Sequence, residues 1–252
     1  MSKESSSTFL VTGASFGIGR AVTKALSARG FKVVAVARSE EQLESLATEC
    51  AGQVQVVVAD LATTVGVERV VASVATAADI AGIVHSAGSV ISLQPYGELD
   101  SDELVEHLRI HVAAPIALYQ SLAKTHSIKR MLFIDSYSAT TNRVGWSAYS
   151  IVKAAAQMAA RSAADELPET DTIRVFPGAV NTRIVDAVLE SDTETAKVFA
   201  AIRDRGELAE PADTAAYIVA LIADATDEMI RSQPTWDYNN PDDRQLLTER
   251  QQ

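Results

Sequence analysis

The chain has 252 residues, 47% of them hydrophobic and 22% charged, enough to bury a substantial core within one large α/β unit. Its formal charge of −11, from 22 Lys and Arg against 33 Asp and Glu, disfavours nucleic acid and anionic membranes as partners. The one cysteine, Cys50, excludes an intrachain disulfide and a Cys-based zinc site and fits a reducing cytoplasm.

Met1 to Thr8 is polar and serine-rich, without the apolar core of a secretory signal, and residues 1–7 are expected to fray. Phe9-Leu10-Val11 predicts a short buried strand. Ile18, Val22, Ala25 and Leu26 then recur at helical spacing up to Gly30. Lys32 to Ala37 predicts a second strand, Glu40 to Cys50 a helix, Val54 to Val58 a third strand, and Val65 to Ala77 a helix. A fourth strand starts at Ile83-Val84, and one long helix runs from Ser101 to Ala123. Met131 to Ile134 is a fifth strand, Ser147 to Leu167 an alanine-rich helix, and Ile173 to Phe176 a sixth strand. Val180 to Gly206 is charged and helical, placed to act as a substrate lid at the edge of the sheet. The weakly patterned tail offers Thr235 to Tyr238 as a short last strand. No apolar run is long enough to span a bilayer. The alternation of strand and helix, with continuously apolar strands, predicts a parallel sheet covered on both faces. With right-handed crossovers this is a Rossmann-type, doubly wound, three-layer fold, read as a single domain over 1–252.

Gly13, Gly17 and Gly19 lie between the first strand and first helix. Glycine there allows a tight turn and close approach to a phosphate, and the helix N-terminus offers free N–H groups. Gly13, Ser15, Phe16, Gly17, Ile18 and Gly19 are therefore candidate dinucleotide contacts. Arg38 ends the second strand where a carboxylate would bind the ribose of NAD; a guanidinium, with Ser39 beside it, suits the extra phosphate of NADP(H). Asp60-Leu61 follows the third strand, where the aspartate either accepts a hydrogen bond from adenine or caps the next helix. Ser86, Ala87 and Gly88 are small enough to let a cofactor lie against the backbone.

Tyr149 and Lys153 stand four residues apart, on one helix face. A free tyrosine, with a pKa of about 10, exchanges protons poorly near neutrality, and an adjacent ammonium favours its phenolate. The lysine can also hold the nicotinamide ribose, and Ser136 is placed to hydrogen-bond a substrate carbonyl. In the reducing direction Tyr149 gives the proton while the nicotinamide gives a hydride.

Taken together these motifs resemble the short-chain dehydrogenase/reductase family over essentially the whole chain. Thr12 to Gly19 is similar to its cofactor loop, and Ser136, Tyr149 and Lys153 match its catalytic serine, tyrosine and lysine. Pro177, Gly178, Val180 and Thr182 fall in a segment similar to the one that holds the carboxamide. Gly145 to Tyr149, Asp165 to Pro168 and Trp236-Asp237-Tyr238 resemble the sepiapterin reductase and benzil reductase branch, where a C-terminal aspartate anchors a pterin; Asp237 matches it. Two positions depart from the family. Its Asn-Asn-Ala-Gly reads His85-Ser86-Ala87-Gly88, and its fourth catalytic residue, an asparagine, is replaced by His111. His111 is expected either to keep the proton relay, with titration near neutral pH, or to pack inertly between helices.

The resemblance implies an NADPH-dependent carbonyl reductase acting on a small ketone, an aromatic α-diketone or a pterin side chain, with Trp146 and Tyr96 as aromatic walls or core filling. It also implies a homodimer or homotetramer through the helices from Ser101 and Ser147. The competing class is an NADP(H)-binding regulator that has lost catalysis, favoured by His111 and Ser86 alone. A sugar-nucleotide epimerase fits poorly with the loop spacing and the short C-terminal part. His107 and His126 lack metal-ligand spacing.

Overall fold

A computed structural model describes residues 7–50, 54–77, 79–88, 91–191 and 193–249. Seven strands, β1 (Thr8–Thr12), β2 (Lys32–Ala37), β3 (Val54–Val58), β4 (Ile80–His85), β5 (Arg130–Ile134), β6 (Asp171–Phe176) and β7 (Thr235–Asp237), form one sheet in the order β3-β2-β1-β4-β5-β6-β7. Every pairing is parallel.

The central strands are largely apolar because both faces of the sheet are covered. In β1, Phe9 and Val11 point to one core with Val22 and Leu26 of α1 (Gly17–Ala28), while Leu10 points to the other with Val67 and Val70 of α3 (Thr64–Ser73). The two cores make the three layers expected of a doubly wound fold. Strand order reverses at β1, whose neighbours are β2 on one side and β4 on the other. Crossovers leave these two strands in opposite directions, so a crevice opens beyond their C-terminal ends.

α2 (Glu40–Glu49) lies close to its expected bounds. The helix expected over 101–123 is interrupted. α4 (Ser101–Leu108) passes through a five-residue π-helical segment, Arg109–Ala113, into α5 (Ala114–Leu122). Such a wide turn swings side chains off the regular helical spiral and frequently marks a functional position. α6 (Ser147–Glu166) is the long alanine-rich helix, and α7 (Arg183–Glu190) and α8 (Glu194–Asp204) occupy the expected lid region, of which residue 192 lies outside the described residues.

Two other expectations are corrected, and one helix had no sequence signal. Residue 7 does not fray: the Ser7 carbonyl accepts the Lys32 N–H at 3.3 Å, while residues 1–6 lie outside the described residues. β4 begins at Ile80 rather than Ile83, and Gly82 within it is needed because a Cβ would sit 2.8 Å from the Ile222 side chain. The helix α9 (Pro211–Val219), continued by a π-helical segment Ala220–Asp224, was not expected. Its Tyr217-Ile218-Val219 and Leu221-Ile222 are buried, so no polar face marks a helical period. The short α10 (Asp227–Ser232) and α11 (Pro241–Glu249) flank β7, the last strand expected. Among the described residues no helix is long and apolar enough to cross a membrane.

Candidate active site

The crevice is lined first by the turn between β1 and α1. Gly13 has a φ of +70°, and a Cβ there would stand 2.6 Å from the Ser86 carbonyl oxygen, so only glycine lets this turn lie against the end of β4. Thr12 Oγ1 fastens the two strand ends by accepting the N–H groups of Ser86 and Ala87 at 3.2 and 3.1 Å. Helix α1 starts at Phe16 with no side-chain cap and no acidic residue in its first turn. Its leading N–H groups lack a side-chain acceptor beside a glycine cradle, an arrangement that fits the phosphates of a dinucleotide. Gly17, with φ +54°, abuts Thr182, and the Arg183 guanidinium lies 3.2 Å from the centre of the Phe16 ring. Pro177, Gly178, Val180 and Thr182 thus run from the end of β6 to the start of α7 beside the turn that holds Ser15 and Phe16 and the first residues of α1, Gly17 and Ile18.

Arg38 stands exposed at the end of β2, 3.7 Å from Glu106 Oε1. That surface pair is weak and leaves the guanidinium open to a stronger anion. Asp60 does not cap α3. Its Oδ1 accepts the Ala62 N–H at 3.0 Å, and the capping side chain is Thr63, which accepts the Gly66 N–H. Leu61 is buried and lines the cavity beneath the site.

Tyr149 and Lys153 occupy the first two turns of α6. Lys153 is buried, its Nζ donates to the Ile134 carbonyl at 3.1 Å, and it lies 5.8 Å from the centre of the Tyr149 ring. Ser136 follows β5, and its Oγ accepts the Ser138 N–H at 3.2 Å, which leaves its own hydrogen for another acceptor. The sequence reading overlooked Asp135. This buried carboxylate accepts the Ser136 N–H at 2.7 Å and Gln157 Nε2 at 2.9 Å, and stands 3.5 Å from Arg174. Gln157 continues the Tyr149, Lys153 face by one more turn; that i, i+4, i+8 spacing was the available signal.

His111 sits in the π-helical segment against Gly88, where a Cβ would be 2.7 Å from its Cε1. Burial, with Lys153 and His107 adding repulsion, holds its pKa well below the usual imidazole value. The expectation that it titrates near neutral pH is therefore overturned: the ring is neutral there, with one nitrogen donating and the other accepting. His107 is buried and stacked beside it at 6.1 Å, and His126 is buried with Thr125 on its Nδ1. His85 stacks on Phe133, its Nε2 is buried without a partner, and burial depresses its pKa to about 3. His85, His111, Asp135, Gln157 and Arg174 all line one cavity of about 450 Å³ beneath the reacting groups. Among the described residues no group of three or more His, Cys, Asp or Glu is placed to hold a metal.

A second cavity, of about 240 Å³, is lined by Tyr149 and Trp146, by Ile91 and Leu93, and by Ile184, Ala187 and Val188 of α7. Trp146 meets Tyr149 edge-on at 5.4 Å and stacks on Phe199 of α8 at 6.3 Å, a contact the sequence did not suggest. Tyr96 is not part of this wall: it is 76% exposed in a surface turn begun by Pro95. Asp237, at the end of β7, accepts the Tyr137 hydroxyl and, at 2.9 Å, the Asn239 N–H. Burial and this carboxylate push the Tyr137 phenol up to about 12.

A glycine-cradled helix N-terminus at a topological switch point, in one chain with a tyrosine and a buried lysine one turn apart on α6, is the arrangement of a nicotinamide-dependent oxidoreductase. The chain belongs to the short chain dehydrogenase family, whose model matches residues 7–193. It is 30% identical over 217 residues to a sepiapterin reductase of Xenopus laevis, covering 79% of this chain and 82% of that one. A benzil reductase ((S)-benzoin forming) of Bacillus subtilis is 26% identical over 236 residues, 87% of this chain and 94% of the relative. An L-xylulose reductase of Cavia porcellus is 40% identical over 115 residues, so the matched part spans only 46% of this chain and 45% of that relative. The fold superposes on a short chain dehydrogenase/reductase from Saccharomyces cerevisiae with a TM-score of 0.85 at 24% identity, covering 95% and 98% of the two chains. The family acts on carbonyl and alcohol groups with nicotinamide cofactors.

A histidine held neutral by the fold opposes acid. Its folded pKa lies below its unfolded value, so the stability it preserves is complete above about pH 6.5 and is lost as pH falls toward 3. The urea midpoint will drop across that window, with a limiting slope of about 1.4 kcal/mol per pH unit for each such histidine. In His85→Asn the drop will be shallower; an identical pH profile in the variant would contradict the assignment.

Proposed function

We propose that the protein is an NADPH-dependent carbonyl reductase, a single dinucleotide-binding domain that reduces a small ketone in the cytoplasm. The observation that carries this reading is the placement of Tyr149: its helix neighbour Lys153 is anchored on Ile134, and its ring borders an otherwise apolar cavity roofed by α7. Gly13, Ser15, Phe16, Gly17, Ile18 and Gly19 would hold the cofactor's phosphates. Asp60, Leu61, Ser86, Ala87 and Gly88 would border its adenine and ribose parts, and Pro177, Gly178, Val180 and Thr182 its carboxamide. Arg38, which stands at the end of β2 where an NAD-binding chain would carry a carboxylate and whose one ion pair is a weak surface contact with Glu106, supports NADP(H) over NAD.

When bound, the reduced nicotinamide supplies the hydride that makes a ketone an alcohol. The chain's own residues handle the proton. Ser136 donates its free hydroxyl hydrogen to the carbonyl oxygen and fixes the ketone's orientation. Tyr149 gives its phenolic proton to the same oxygen, and the ammonium of Lys153 offsets the negative charge left on the phenol. Neutral His111 returns a proton from solvent toward Lys153, accepting on one nitrogen and donating from the other. Apolar surface left exposed on the helices supports self-association: Val105, Ile116, Ile151 and Met158 are 44, 44, 39 and 58% exposed. A homodimer or homotetramer would cover them.

The decisive measurement is oxidation of NADPH, with NADH in parallel, against benzil, isatin and sepiapterin. Tyr149→Phe will lower kcat by about 10² to 10⁴ while NADPH still binds. Unchanged turnover would remove Tyr149 as the proton donor, and a wild type that binds NADPH but reduces no ketone would leave only a dinucleotide-binding regulator. Arg38→Ala will raise the KM for NADPH about tenfold and leave that for NADH nearly unmoved, the loss of one charge-assisted contact; a wild-type preference for NADH would defeat the assignment. His111→Phe will slow turnover about tenfold without weakening cofactor binding, and full activity in that variant would remove it from the relay.

A further inference from the structure

Trp146 carries a polar atom that the protein does not use. Its indole Nε1 is buried and has no hydrogen-bond partner, although the residue lines the cavity it shares with Tyr149. Among the described residues other side chains hold such unpartnered atoms, but of these only Trp146 borders that cavity. The ring is held on two sides, edge-on to Tyr149 at 88° and stacked on Phe199 at 14°. The donor therefore has a fixed position relative to the phenol.

Resting on the reductase reading, we infer that the Trp146 indole N–H reads a second hydrogen-bond acceptor beside the ketone, so that the substrates are uncharged ketones with an adjacent carbonyl, ether or ring-nitrogen acceptor on an apolar body. Indole N–H is a donor only, so it is satisfied by an acceptor and by nothing else. The remaining wall, from Ile91 through Ile184, Ala187 and Val188, has no charged side chain. A charged substrate would lose its hydration without compensation there, and a polyol would leave its extra hydroxyls unpaired. A site built to pair a polar group rejects the analogue that lacks it far more strongly than an apolar pocket rejects a missing methylene. The second acceptor is bound and not reduced; only the carbonyl facing Tyr149 becomes an alcohol.

The test uses the full chain with NADPH and two ketones of one skeleton, 1-phenyl-1,2-propanedione and propiophenone, in which the second carbonyl becomes a methylene. The dione reacts faster with any hydride donor, so the informative quantity is how the ratio of their kcat/KM values changes in Trp146→Phe. We expect that ratio to fall at least tenfold in the variant. In the NADP-loaded wild type, one of the two tryptophan indole N–H resonances should shift when the dione is added and stay still with propiophenone. This second measurement decides the matter if Trp146→Phe does not fold. A ratio unchanged within twofold, or indole resonances that respond alike to both ketones, overturns the inference and leaves the reductase reading standing. Reduction of neither ketone, nor of any in the wider panel, overturns both.

Discussion

The placement of Ser136 against the helix of Tyr149 and Lys153 depends on one buried carboxylate. Asp135 lies between three elements that come together only in the folded chain: the loop with Ser136, helix α6 through Gln157, and strand β6 through Arg174. Removing a carboxylate from water is costly unless its oxygens are met, and here a backbone N–H, an amide and a guanidinium meet them. Because each contact comes from a different element, a shift of the strand end against the helix breaks at least one. The cost of a bare charge in the interior thereby fixes where Ser136 stands relative to the helix of Tyr149 and Lys153.

The same interior explains two of the histidines. His85 and His111 occupy positions where relatives in the family carry asparagine by resemblance, and both rings face the cavity beneath the site. Burial keeps them neutral. A neutral imidazole presents one donor and one acceptor, the same complement that an asparagine side chain offers to a single bridging partner. Substitution therefore preserves hydrogen-bonding capacity while changing size, and Gly88 supplies the room that the larger ring of His111 requires.

The strands and the cofactor turn were legible because their signals are local. Continuous apolar runs such as Phe9-Leu10-Val11 and Lys32 to Ala37, each followed by a helical period, are sufficient for a parallel sheet covered on both faces. Tyr149 and Lys153 are legible for the same reason, being one turn apart. What escaped was set by packing across the chain. Tyr217 to Val219 and Leu221-Ile222 are buried while the outer positions Ala212, Ala216 and Ala220 are alanine, so the helix shows no polar side, and Gly82 disguised the start of β4 by making way for Ile222. Asp135 reads as an ordinary aspartate after a strand until Arg174 and Gln157 are brought to it. The neutral state of His111 also needed its surroundings, since an isolated histidine titrates near 6.5.

The lid region joins the two halves of the site. Its first residues touch the cofactor turn, Thr182 against Gly17 and Arg183 over Phe16. Its middle lines the cavity through Ile184, Ala187 and Val188, and Phe199 of α8 backs Trp146. α7 and α8 pack on each other, and Gly145, at φ +83°, brings the turn before α6 against Thr193. The Phe16 turn, Arg183, α7 and the wall beside Tyr149 and Trp146 thus form one continuous packed path, which makes the geometry of the glycine turn and that of the cavity parts of one structural unit.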